Sequence, residues 1–506
     1  MYDRSPSSPR TGNFLCGILA FALTAGCASH GQFAFVSDDV HARNVILFIG
    51  DGMGVSTVTA ARIFAGQAEG LAGEEYSLVF EKFPHLALVK TYNSNQQVPD
   101  SAGTASAIYT GQKTRAGVIS VGPEARRRNC AEARRYPLTT ILEIAKSRGK
   151  RVGIVTTARI THATPAALYA HSPEREWESD LLLTEGNRAA GCRDIASQLA
   201  SIAPGSLDIA LGGGRREFFG SDHGGMRRKA DDDLVQQWLD GAANRRYVTT
   251  AAELHALAPG EEVLGLFSDG HLTYVAERAA ATTEPTLPEM TAAAIDRLAG
   301  KDGFFLMVEG GRIDHGHHDG KAGYALVEAV EFARAVEGAL AKVDLDETLI
   351  LVTADHSHAF TIGGYPVRGN PILGLVLEND ADGEPRPEPS LAADGKPYTT
   401  VGYANGPGAT KNGARPEPET DIASVYQALI PRLDTNLDGS PDIDESHGGE
   451  DVALYATGAG SDAVSGVIEQ NLVFDIMMKA FGWDAGDPSD DMKTNLAPLS
   501  QVDSRK

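Results

Sequence analysis

Five predominantly apolar stretches, each too short for a helix, occupy residues 45–49, 152–155, 208–211, 304–308 and 348–352. Strands buried on both faces of a sheet read this way, because neither face has to be polar. Between them apolar positions recur at helical spacing, as in residues 139–147 and 323–336. The alternation predicts an α/β fold: a doubly wound, mostly parallel central sheet with helices on both faces. A strand-like run at 452–455 and a helical pattern over 464–480 are expected to return to the same sheet. Three of the runs end in acids, Asp51, Glu309 and Asp355. Open α/β sheets bind ligands at the carboxyl edge, so acids distant in sequence are expected to converge there.

Outside these elements the pattern changes. Arg4 and Arg10 precede an apolar run at 14–23 that is too short to span a bilayer, so residues 1–26 read as a secretion signal and 27–506 as the mature chain. The run closes with Leu23-Thr24-Ala25-Gly26-Cys27-Ala28, which resembles a bacterial lipobox. Cys27 is therefore the expected lipid anchor, with the periplasm or outer membrane as location; a signal cut a few residues later, releasing a secreted product, is the competing reading. Residues 369–445 are rich in Pro, Gly, Asp and Asn and read as an inserted cap, while 484–506 form a polar tail. In an oxidising compartment Cys130 and Cys192 are expected to pair, which would stabilise the fold by about 4 kcal/mol. Two buried free thiols are the alternative.

Charge narrows the choice of partners. With 45 basic against 68 acidic residues the chain carries a formal charge of −23, which excludes a surface that tracks nucleic-acid phosphates. A small anionic substrate stays open, since bound cations invert the field of a pocket.

The densest ligand cluster is Gly310-Gly311-Arg312-Ile313-Asp314-His315-Gly316-His317-His318, in which Asp314 and His318 stand four apart and can face one ion from a helical turn. Carboxylate with imidazole suits zinc. Asp355-His356, with His358 just beyond, follows another buried run. Asp100-Ser101-Ala102-Gly103-Thr104-Ala105 places a serine at the start of a helix, where free N–H groups favour an anion. No Gly-x-Ser-x-Gly elbow surrounds Ser101, so a metal rather than a histidine base is the expected activator.

Taken in order along the chain, these motifs resemble the alkaline phosphatase family over about residues 44–482. The resemblance also covers Asn44-Val45-Ile46-Leu47-Phe48-Ile49-Gly50-Asp51-Gly52-Met53-Gly54, His162-Ala163-Thr164-Pro165-Ala166, Thr353-Ala354-Asp355-His356-Ser357-His358 and Ser446-His447-Gly448-Gly449-Glu450-Asp451-Val452. The His-rich sequences and the cysteine pair look more like animal-type members than enteric ones. The resemblance implies a phosphomonoester hydrolase with broad tolerance of the leaving alcohol, working through a phosphoserine on Ser101. It implies one zinc on Asp314, His318 and His447, a second on Asp51, Asp355 and His356, and magnesium on Asp51, Glu309 and Thr164. Arg175 would fork onto two phosphate oxygens, a geometry suited to guanidinium. His162 and His315 stand where enteric relatives carry Asp and Lys, so different contacts to magnesium and phosphate are expected. A homodimer is expected on the same ground. The extra calcium site of animal-type members, sought around Phe267-Ser268 and Glu284, is expected to be weakened or absent.

Rival readings are a phosphodiesterase or sulfatase on the same fold and a metal-binding lipoprotein without catalysis. The first lacks this third-metal set, and the second has no use for Ser101 together with Arg175. A separate calcium candidate is the EF-hand-like spacing of Asp434, Asn436, Asp438, Ser440, Asp442 and Glu445, with Gly439 at the bend. Its competing reading is an acidic turn, since Pro441 stands at a normally apolar position and no obvious helix follows.

Overall fold

The computed structural model describes residues 41–410, 415–435 and 441–483. The secretion signal, Cys27, the polar tail and the centre of the calcium candidate, including Asn436, Asp438 and Ser440, lie outside the described residues.

One ten-stranded sheet organises the chain. Its strands, in chain order, are β1 (Asn44–Gly50), β2 (His85–Lys90), β3 (Arg151–Arg159), β4 (Ile209–Gly213) and β5 (Arg245–Val248). They continue with β6 (Glu262–Leu266), β7 (Phe304–Gly310), β8 (Thr348–Ala354), β9 (Val452–Gly458) and β10 (Gly466–Glu469). The spatial order is β10-β2-β9-β8-β1-β7-β3-β4-β6-β5, and β9 alone runs antiparallel to its neighbours. The five apolar runs became the contiguous parallel centre β8-β1-β7-β3-β4. Every residue of β1, β7 and β8 is buried, the physical reason that these runs show no alternation.

Helices cover the sheet. Ala322–Leu340 packs on Leu287–Leu298, Arg312–His318 and Val55–Ala68, and its Phe332 meets the rings of Phe48 and Phe80 edge-on. Thr140 caps Ile141–Ser147 through a reciprocal pair with Glu143, which sharpens the start of the helix expected there. The pattern at 464–480 was not one helix. Gly466, at φ 73°, opens strand β10, which pairs with β2, and the helix begins only at Leu472. The strand β2 escaped notice although Leu86-Ala87-Leu88-Val89 is an apolar run, and its Leu86 and Leu88 are exposed in the fold.

Register sets the site. Ile49 pairs with Glu309 on one side and Thr353 on the other, and Gly50 pairs with Gly310 and Ala354. Asp51, Glu309 and Asp355 therefore leave the sheet at one level of its carboxyl edge. Beyond β8, Ser357–His358 pairs with His447–Gly448, and a three-stranded sheet joins Phe360–Ile362, Val401–Asn405 and Ala428–Ile430. The last two strands fall in the segment 369–445, and the first lies before it. Cys130 and Cys192 are disulfide-bonded, with Cα atoms 5.4 Å apart.

Candidate active site

The helix Ser101–Thr110 starts where Asp100 caps it by accepting from Gly103 N at 3.2 Å. The same carboxylate accepts from Asn93 Nδ2 and Gly117 N, each at 2.9 Å, and from Arg175 Nη1 at 3.3 Å. Ser101, the first helical residue, is buried, and its Oγ lies 3.1 Å from His356 Nε2. His356 Nδ1 meets the carbonyl of Ser357 at 3.2 Å. A carbonyl only accepts, so the ring proton sits on Nδ1 and Nε2 is bare. That bare nitrogen faces Asp51 Oδ1 at 3.3 Å and Asp355 Oδ2 at 3.4 Å. Asp355 is held by Gly52 N at 3.1 Å, His356 N at 2.9 Å and Thr104 Oγ1 at 3.1 Å. Gly52 has φ 67°, and a Cβ there would strike the ring of His358, so only glycine lets the loop after β1 approach so closely.

A second group gathers Asp314 and His318, one turn apart on the helix Arg312–His318, with His358 and His447. His318 Nδ1 donates to the carbonyl of Glu445 and His447 Nδ1 to that of Pro99, both at 2.7 Å. Burial, then His356 and His318, holds His447 well below the usual imidazole value, so its Nε2 is bare. Burial opposes charge on His318 too, but Asp314 and Asp444 raise it. The His318 Nε2 lies 3.0 Å from that of His447, with Asp314 Oδ1 at 3.4 and 3.5 Å. A zinc ion among these nitrogens and the Asp314 carboxylate would take the place of the proton that His318 otherwise holds there. His358 differs: Asp314 Oδ1 at 2.8 Å and Glu445 Oε2 at 2.5 Å flank its two nitrogens. Although burial works against the charged form, these carboxylates push His358 up to about 9.

A third group combines Asp51, Glu309 and His162. Both oxygens of Asp51, Glu309 Oε1, Thr164 Oγ1 and His162 Nδ1 are buried without a hydrogen-bond partner among the described residues. Burial, then Asp314, Asp355 and Glu309, raises Asp51 well above the carboxylate range. Burial, reinforced by Asp355 and Asp314 and opposed by the Thr156 hydroxyl, raises Glu309 to about 7. Such clustered acids stay ionised together only with cations among them. Burial, then Arg175 and Arg159, lowers His162 to about 3. Arg175 Nη2 lies 3.1 Å from His162 Nε2, and Arg312 Nη1 lies 3.0 Å from His315 Nδ1.

Tertiary structure thus gathers Asp51, Ser101, His162, Thr164, Arg175, Glu309, Asp314, His318, Asp355, His356 and His447 into one region. It adds His358, Thr104, Thr156 and Glu445, to which sequence reasoning gave no role here. The alternation Asp355-His356-Ser357-His358, on extended chain, was the available signal for His358. The calcium candidate is treated differently by the fold. Leu433–Thr435 and Pro441–Ile443 pair as antiparallel strands, so the expected loop is flanked by a hairpin. Glu445, expected at its last ligand position, is fully buried and directs its carboxylate to His358. At the other calcium position Glu284 accepts from Thr273 N at 2.9 Å and Thr273 Oγ1 at 3.0 Å, leaving it bound within the protein.

Sheet and site together define a class, a metal-dependent hydrolase that sets a helix-start serine against clustered carboxylates and imidazoles. The chain belongs to the alkaline phosphatase family, whose sequence profile matches residues 42–483. It is similar to the tissue-nonspecific alkaline phosphatase of Gallus gallus, 46% identical over 453 residues, 85% of this chain and 83% of that protein. The human tissue-nonspecific isozyme is 42% identical over 87% of this chain and 83% of its own length. The crystal structure of Thermus thermophilus alkaline phosphatase superposes with a TM-score of 0.62 at 25% identity, covering 92% of this chain and 97% of that one. The protein is a metal-dependent phosphomonoester hydrolase.

Proposed function

We propose that Ser101 is the nucleophile, that two zinc ions and one magnesium serve it, and that the enzyme works outside the cytoplasm on many phosphomonoesters. The observation that carries this reading is Ser101 Oγ 3.1 Å from the bare nitrogen of His356, beside the buried cluster of Asp314, His318 and His447. The donor sets fit the ions. Asp314, His318 and His447 would hold one zinc, Asp51, Asp355 and His356 the other, and the all-oxygen set of Asp51, Glu309 and Thr164 suits magnesium. Bound there, the ions would lower the pKa of the attacking hydroxyl and neutralise the departing oxygen, so the alcohol would need no special chemistry to leave.

The protein's own groups do the rest. Ser101 Oγ forms the bond to phosphorus while the ester oxygen leaves; water then breaks the phosphoserine and frees phosphate. Ser101 sits in the first turn of its helix, where exposed N–H groups face the anion. Arg175 is held by Asp100 on one terminal nitrogen and faces His162 with the other, and each keeps a second N–H for phosphate oxygens. His162 and His315 line the same side and would contact phosphate and the magnesium shell.

The remaining assignments belong to the same reading. Residues 1–26 direct export, Cys27 carries a lipid in the periplasm or outer membrane, 369–445 caps the site, and the chain acts as a homodimer. The 434–445 loop stays a calcium candidate on Asp434, Asn436, Asp438, Ser440 and Asp442, with Glu445 reassigned to the zinc side. Release of phosphate from p-nitrophenyl phosphate, lost with chelator and with Ser101→Ala and matched by zinc and magnesium in the purified protein, tests the reading. Turnover that survives both treatments would overturn it.

A further inference from the structure

Three imidazoles crowd the Arg175 side of the site, and each has a nitrogen against an arginine. His162 Nε2 faces Arg175, His315 Nδ1 faces Arg312, and His271 lies against both the backbone N and the guanidinium of Arg159. The rings pack as one group. His271 and His315 centroids are 4.0 Å apart, and His162 is 5.5 Å from each.

A guanidinium has only N–H groups and cannot accept. In His162 and His315 the one nitrogen that faces a guanidinium is therefore bare, the ring is neutral, and its proton goes to the other side. His271 instead meets a donor at each nitrogen and serves only as a packing surface. For His162 that places the proton on Nδ1, the buried atom without a partner. For His315 it places the proton on Nε2. Arg312 is itself anchored, its guanidinium 3.5 Å over the ring of Tyr274 and its backbone N donating to Thr157 Oγ1 at 3.1 Å.

We propose that Arg312 is a positioning residue that locks His315 in the Nε2–H tautomer, with His271, pinned by Arg159, as the plate that fixes the ring plane. His315 then presents a permanent N–H donor to a phosphoryl oxygen. Without Arg312 the ring exchanges tautomers and spends part of its time with a lone pair facing the anion. This rests on the phosphatase reading above, in which His315 touches phosphate.

The test compares the metal-loaded enzyme with its Arg312→Met and Arg312→Lys variants. Nitrogen-15 NMR of the imidazoles reads the tautomer, and steady-state kinetics reads KM for p-nitrophenyl phosphate and inhibition by inorganic phosphate. In the unaltered enzyme the His315 proton is expected on Nε2. In Arg312→Met both tautomers are expected, with KM and the phosphate inhibition constant raised about tenfold and kcat within about threefold, the worth of one hydrogen bond. Lys, another obligate donor, is expected to restore both readouts. A single unchanged tautomer in Arg312→Met, or a tautomer change without any change in KM or inhibition, overturns the proposal. So does a proton on Nδ1 of His315 in the unaltered enzyme, an outcome that needs no variant to fold. An unaltered enzyme without phosphatase activity would sink the phosphatase reading instead, and the NMR result would still decide the role of Arg312.

Discussion

Glu445 accepts from His358 Nδ1 at 2.5 Å through its carboxylate, while its own carbonyl takes the Nδ1 proton of His318 at 2.7 Å. One residue thus orients two imidazoles of the same cluster. Partners of this kind fix the tautomer and ring angle of metal ligands, and their loss costs roughly 10–100-fold in metal affinity. Glu445→Gln keeps the carbonyl contact to His318 but removes the charge behind His358, which in turn holds Asp314 at 2.8 Å. It is expected to weaken zinc retention by up to about that factor. Activity should fall at trace zinc and recover when zinc is added, as read by dialysis followed by metal analysis.

Metal removal should also loosen the fold. Asp51, Glu309, Asp314 and Asp355 are all fully or almost fully buried within one region. Without cations their mutual repulsion opposes folding, so the chelated protein is expected to melt at lower temperature than the loaded one. Calorimetry across a zinc and magnesium titration checks this, and an unchanged midpoint would contradict it.

Ser101→Ala is expected to keep the fold, because a small residue at that buried helical position disturbs little. Turnover should fall by about a thousandfold or more, since the proposed nucleophile is gone and only binding and electrostatics remain. Zinc content should change far less than activity does. Phosphate covalently trapped on the unaltered protein, and absent from the variant, would report the serine ester.

Glu328 gives a pH dependence remote from the ligand set. It is buried on Ala322–Leu340, accepts from Val275 N at 2.6 Å and faces Arg312, Arg278 and Glu331. Burial, the largest influence, raises it from the ordinary 4.5 to about 7. The folded chain therefore keeps this proton between those values while the unfolded chain releases it. Stability from this group falls as pH rises through that window, by roughly 3 kcal/mol once pH exceeds the folded value. Glu328→Gln still accepts from Val275 and has no charge to bury. It is expected to stabilise the protein at pH 8, with a gain that shrinks toward pH 5, as measured by denaturant unfolding.

The disulfide closes a sequence separation of 62 residues. Cys130→Ser with Cys192→Ser is expected to lower stability by about 4 kcal/mol, read by denaturant unfolding with and without reductant.

Much of this was legible before folding. The five central strands showed themselves because burial on both faces leaves an apolar run, and the acids at three of their ends marked the binding edge. Asp314 with His318 and Asp355 with His356 were legible because their partners stand one helical turn apart or adjacent. What escaped was a short apolar run, Leu86 to Val89, and contacts that leave no local trace. Strand β2 exposes Leu86 and Leu88, and the link from His358 to Glu445 spans 87 positions. The spacing of acids and Gly439 in the 434–445 loop matched a calcium motif, but spacing does not reveal that the flanks pair as strands or that Glu445 points the other way.

By itself, then, the sequence determined which residues could supply donors and which segments had to be buried, because hydrophobic period and residue chemistry are local properties. Only the tertiary structure decided which nitrogen of each ring faces the site. That depends on what lies behind each ring: the carbonyl of Pro99 behind His447, that of Glu445 behind His318, and the guanidinium of Arg312 behind His315. Proton placement on an imidazole follows from its partner in space, and that partner is set by the register of the sheet and the path of its loops.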